Sequence, residues 1–167
     1  IETPSYRPFA VLYYHFLYLL FEENTFLLRN FIIFEALILI LISNKLLDHL
    51  NFNKTSIFFF TLLIIFSKIY LTLISWFTIS VLIFVYIISI SSILFFLISI
   101  KDKSNLYYCL AIIFAVVGIL TREELYIIPV ILFFIYFYKY EINIKNFLLC
   151  SLKIFPFFLL IFLHMYL

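Results

Sequence analysis

Glycine is almost missing from this chain: Gly118 stands alone among 167 residues. That excludes a Gly-rich phosphate loop, a dinucleotide-binding fingerprint and a G-x-S-x-G nucleophile turn, each of which needs glycine backbone. Charge is scarce as well. Asp, Glu, Lys and Arg together make 12% of the chain, against about 25% in soluble domains. A formal net charge of +2 with no basic stripe gives no ground for a nucleic-acid partner. The two cysteines, Cys109 and Cys150, sit far apart in apolar segments and form no C-x-x-C pair. They read as small buried hydrophobes, because thiols held in apolar surroundings stay protonated and inert. His15, His49 and His164 lie on separate segments with no H-x-x-x-H spacing, so no metal-ligand pattern emerges.

What is present is hydrocarbon. The chain is 67% hydrophobic with 24 Phe and 13 Tyr, and its mean hydropathy is +1.24. A soluble core could not absorb so many large rings with so little polar surface to cover them. Segments of alternating polarity, which a membrane β-barrel requires, do not occur. The Ile excess does not argue for strands either, since isolated strands cannot satisfy their backbone in lipid. The expected class is all-α: a polytopic transmembrane helical bundle. The chain begins at Ile1 and ends inside an apolar run at Leu167, so we read residues 1–167 as part of a longer transmembrane domain, with an N-terminal span and a C-terminal part missing.

Polar punctuation divides that domain. Ile1 to Arg7 is a polar entry, and Pro8 to Phe21 is a short aromatic segment opened by proline at a helix N1 position. Fourteen residues cannot cross a bilayer that needs about 20, so this is expected to be an interfacial helix. Glu22 to Asn24 breaks it. Spans are then expected at Phe26 to Leu47, Thr55 to Leu71, within Leu73 to Ile100, at Leu106 to Leu120, Leu125 to Tyr138, and from Phe147 onward, the last interrupted by Pro156. That makes roughly six. The polar loops between them are expected at Ser43 to Lys54, Lys101 to Asn105 and Lys139 to Asn146. Alternating the spans puts Lys45, Lys54, Lys101, Lys103, Lys139, Lys145 and Lys153 towards one side and Arg7, Arg29, Lys68 and Arg122 towards the other. Seven cations against four make the lysine side cytoplasmic. All three arginines share the opposite side with Glu2, Glu22, Glu23, Glu35, Glu123 and Glu124, a mixture suited to an ion-paired outer cavity.

The run Leu120 to Pro129 carries the strongest chemical signal. It places Arg122, Glu123 and Glu124 between two almost unbroken apolar stretches. One charge near bilayer depth costs on the order of 2.5–3.5 kcal/mol, so three together call for partners, water or a function. Arginine's planar fork recognises phosphate bidentately and stays charged when partly dehydrated. A plain interfacial turn with snorkelling side chains is the alternative reading. Arg7, fixed by the following proline, is the second candidate. Arg29 and Glu35 stand six residues apart, a poor spacing for contact on one helix, and partners on other helices are expected for them. Trp76 and most tyrosines read as interface anchors. No convincing nucleophile is present.

Three blocks resemble the GT-C superfamily of integral-membrane glycosyltransferases, in particular the protein mannosyltransferase-like group of glycosyltransferase family 39. They are Tyr6-Arg7-Pro8-Phe9, Arg29-Asn30, and Leu120-Thr121-Arg122-Glu123 with Pro129 six residues beyond the glutamate. The family's His-Pro-x-x-x-Glu block is replaced by Ser67, Lys68 and Thr72, with Trp76 retained. The resemblance covers Tyr6 to Tyr138. It implies transfer of a sugar from a polyprenyl-phosphate carrier to a saccharide, lipid or protein acceptor at the extracytoplasmic face of a cell membrane or endoplasmic reticulum. It implies that Arg7 and Arg122 hold the donor phosphate, that Glu123 and Glu124 support them, and that the catalytic base lies upstream of Ile1. It names no cofactor and leaves a divalent metal open. A transporter or flippase of lipid-linked saccharides would use the same charges along a pathway, and a non-catalytic paralogue would use them for structure alone.

Overall fold

The computed structural model describes residues 7–22, 24–67, 80–139 and 143–166. Tyr6, Lys68, Thr72 and Trp76, singled out in the sequence, lie outside the described residues. Those residues form helices throughout and no strand. In order they are α1 (Pro8–Phe21), α2 (Thr25–His49), α3 (Lys54–Ile65), α4 (Ser80–Asp102), α5 (Asn105–Thr121), a 3-10 turn (Glu123–Ile127), α6 (Ile128–Lys139) and α7 (Ile144–Tyr166).

Asparagine sets several starts. Asn24 Oδ1 accepts from the Leu27 amide (3.2 Å), Asn53 from Ser56 (2.6 Å) and Asn143 from Asn146 (2.8 Å), each meeting an amide that the helix itself cannot satisfy. The link from α4 to α5 is short. Lys103 takes a left-handed φ of 51°, and the Ser104 amide returns to the Ser99 carbonyl at 3.2 Å. A two-residue connection forces the helices into an antiparallel hairpin.

That hairpin is the spine of the molecule. Ala111, Ala115 and Gly118 line one face of α5 at helical spacing, and the two alanines are fully buried. Small residues let backbones approach closely where lipid supplies no hydrophobic drive. Ser92 Oγ of α4 reaches across to donate to the Ala111 carbonyl at 2.8 Å. The main core gathers Phe96, Leu97, Ile119, Leu125, Ile128, Leu132, Ile154 and Phe157 from α4 to α7 and the turn. A second cluster joins Ile32, Ala36, Leu39 and Ile40 of α2 to Ile83, so α2 lies beside α4 and parallel to it. A third seats Tyr13 and Leu17 of α1 on Val81.

Six spans were expected; among the described residues three helices are long and apolar enough to cross a membrane: Thr25–His49, Val81–Asp102 and Ile144–Tyr166. At about 1.5 Å per residue, a core near 30 Å thick needs about 20 residues. The described parts of the other segments fall short: α3 has 12 residues, α5 17 and α6 12. The central span is Val81–Asp102, 61% buried against 28% and 17% for the other two. Two boundaries differ as well. Residues Ser43 to His49 continue α2 instead of forming a loop. Helix α7 runs through Pro156 without interruption. The proline removes one backbone donor, and Tyr108 Oη donates to the Lys153 carbonyl (2.8 Å) in the preceding turn. The carbonyl that loses its helical amide is that of Leu152, one residue before the Lys153 carbonyl that Tyr108 meets.

The topology gives the molecule two unlike ends. α2, α4 and α6 run one way, and α3, α5 and α7 return. One end collects the α2–α3 and α4–α5 links, the end of α6 and the start of α7. The other holds Arg7, Arg29 and the turn after α5.

Candidate functional site

Helix α5 ends where its pattern runs out. The Thr121 hydroxyl folds back on the Val117 carbonyl (2.6 Å), and Arg122 leaves the helix in extended conformation, φ −154° and ψ 134°. Its amide still bonds the Gly118 carbonyl at 2.9 Å. The chain then winds into the 3-10 turn of Glu123–Ile127, closed by the Leu125 amide on the Arg122 carbonyl (3.3 Å). Gly118 makes room for this reversal. A Cβ there would stand 2.6 Å from Leu125 Cδ1 and 3.3 Å from Ile88 Cγ2, so the lone glycine sits where the charged turn folds back onto its own helix.

Helix α1 meets this turn from the other half of the chain. Arg7 is its N-cap residue, followed by Pro8, and its Nη2 lies 3.8 Å from Glu123 Oε1. Both side chains are 42% exposed. A pair so open to water is worth about 0–1 kcal/mol, too little to hold α1 in place. The anchoring comes from elsewhere. Tyr13 and Leu17 are buried, the Tyr13 ring stacks on Phe84 with centroids 4.7 Å apart, and Tyr13 Oη donates to the buried carboxyl Oε2 of Glu35 at 2.7 Å. One residue on, Tyr14 comes within electrostatic range of Arg122. Burial raises the Tyr14 phenol above its ordinary range, and the Arg122 charge lowers it by less.

The structure therefore brings Arg7, Arg122 and Glu123 into one neighbourhood, with Glu123 directly paired to Arg7. Glu124 belongs to the same turn, and its side chain is outside what is described. Arg29 is exposed on α2, and Glu35 finds its partner on α1, not on its own helix. Tyr13 and Tyr14 went unrecognised in the sequence as site residues, where both pass as interface aromatics. So did Tyr126, whose hydroxyl hydrogen-bonds His164 Nδ1 at the end of α7. Burial first, and the Glu123 charge second, hold the Tyr126 phenol above its ordinary range. No spacing rule links residues on helices whose pairing is not yet known. Among the described residues no cluster of His, Cys, Asp and Glu is arranged to hold a metal ion.

Chemically, the arrangement offers two guanidinium groups, one carboxylate and neutral phenols at one end of a helical bundle. Guanidinium groups suit an anion with several oxygens. A half-exposed carboxylate can be exchanged for such an anion at little cost. Comparison with protein-family models, curated proteins and solved structures finds no match to this chain.

Proposed function

We propose that this chain is the donor-phosphate half of a GT-C-type membrane glycosyltransferase, moving a sugar from a polyprenyl-phosphate carrier to a saccharide, lipid or protein acceptor at the extracytoplasmic face. The observation that carries the reading is the approach of Arg7 to Glu123 at 3.8 Å. Arg7 and Glu123, far apart in sequence, approach each other in space, as two parts of one phosphate site would. Arg7 and Arg122 bind the leaving phosphate and stabilise the charge it gains as the glycosidic bond breaks. Glu123 holds Arg7 in place until the phosphate arrives. Glu124 remains a supporting residue of that turn. The base that takes the acceptor's proton is supplied by chain upstream of Ile1. The lysine end faces the cytoplasm, and the arginine end faces out.

The test uses the full-length protein with a polyprenyl-phosphate sugar. Arg122→Ala should abolish transfer while membrane insertion and helix content stay unchanged. Undiminished transfer would remove Arg122 from the site. Movement of the lipid-linked sugar across the bilayer without any transfer would favour the pathway reading over an enzyme.

A further inference from the structure

At the opposite end of the bundle, a polar cavity of about 390 Å³ opens between the α4–α5 hairpin and α7, lined by Ser99, Lys103, Ser104, Asn105, Tyr108, Leu152 and Lys153. Two of the seven are cations and none is an acid. Asp102 is the adjacent residue in the chain, yet it does not line the cavity, and among the described residues no salt bridge joins either lysine. Lys153 stands nine residues inside α7, one of the three candidate spans. An ionisable residue within such a helix, paired with no carboxylate among the described residues, is a default candidate for a binding site, where a ligand can supply the opposite charge. The Tyr108 bond to the Lys153 carbonyl (2.8 Å) holds α5 against α7 at this level, so the cavity has a fixed wall. The start of α5 adds partial positive charge, since Ser104 makes no side-chain cap bond there.

We infer that this cavity binds the phosphate headgroup of an anionic membrane phospholipid, with Lys103 and Lys153 as its counter-charges. A lipid is favoured over free phosphate by the flanks. Leu106 and Leu152 are 67% and 71% exposed beside the polar lining, an apolar border that acyl chains cover and a soluble ion leaves wet. The location agrees, because lysines collect at this end and anionic lipids concentrate in the cytoplasmic leaflet. The inference does not rest on sugar transfer, and it stands or falls without it.

The experiment is native mass spectrometry of the detergent-purified full-length protein titrated with phosphatidylglycerol, phosphatidylcholine or inorganic phosphate. Phosphatidylglycerol should be retained in preference to phosphatidylcholine, and inorganic phosphate at equal concentration should not displace it. K103Q/K153Q should bind phosphatidylglycerol about ten- to thirtyfold more weakly. K54Q/K145Q, which removes equal charge from the same end, should bind as the parent does, and K103R/K153R should retain binding, showing that the sites tolerate substitution. Equal loss in both glutamine pairs would reduce the effect to general surface charge and overturn the site. Displacement by inorganic phosphate would overturn the lipid assignment.

Discussion

Tyr13 and Glu35 hold α1 to the bundle by a polar contact between helices, a phenol donating to a buried carboxyl at 2.7 Å. Removing the donor strands the acceptor, and an unsatisfied buried polar group costs about 1–3 kcal/mol. Tyr13→Phe should lower the thermal midpoint of the purified protein accordingly, while the Tyr13 stack on Phe84 keeps α1 helical. Glu35→Gln, which can still accept from the phenol, should cost less than Tyr13→Phe. An equal loss in the two variants would show that the carboxylate charge, not the hydrogen bond, does the holding. The Arg7–Glu123 pair belongs to another category. Half exposed on both sides, it contributes little stability, so Arg7→Ala should leave the midpoint nearly unchanged. That contrast separates residues that build the site from residues that work in it.

Among elements, the turn after α5 depends most on a single small residue. Gly118→Leu would drive a side chain into Leu125, which is itself buried, and overpacking of this kind costs about 1–3 kcal/mol or more. The expected outcome is a lower midpoint together with loss of the Arg7–Glu123 approach, read by cross-linking of cysteines introduced at those two positions in a background lacking Cys109 and Cys150. The limits of α1 were legible, because Pro8 can start a helix and Glu22 to Asn24 interrupt the apolar run. The class was legible too, from hydrophobic content alone. The number of spans was not. Apolar runs report how oily a segment is, not where its hydrogen bonds stop, and α3 ends at Ile65 inside a run expected to reach Leu71. Pro156 misleads in the opposite sense, since it reads as an interruption and α7 runs straight through it. The charged cluster at Arg122 and Glu123 was legible as a candidate because charge is rare here. Its direct partner, Arg7, required the tertiary fold.

For the whole molecule, the division into a lysine end and an arginine end yields a topology experiment. In a background lacking Cys109 and Cys150, Lys103→Cys and Lys145→Cys should react with a membrane-impermeant thiol reagent only after the cytoplasmic side is opened. Glu22→Cys should react in intact cells. The reverse pattern would invert the proposed orientation and put the proposed phosphate site on the wrong face for an external acceptor. Lys103 follows α4 and Lys145 lies in the first turn of α7, so agreement between them would also show that the two helices reach the same side.

The meeting of Arg7 with Glu123 also has a consequence in time. Synthesis proceeds from the N-terminus, so α1 is made and delivered to the membrane long before its carboxylate partner exists. The site is completed only once the hairpin of α4 and α5 has entered the bilayer and the turn beyond Gly118 has formed. A nascent chain halted ahead of that turn would display an arginine at the membrane with nothing to hold it, and a quality-control machinery able to recognise a lone charge would see such a chain as unfinished.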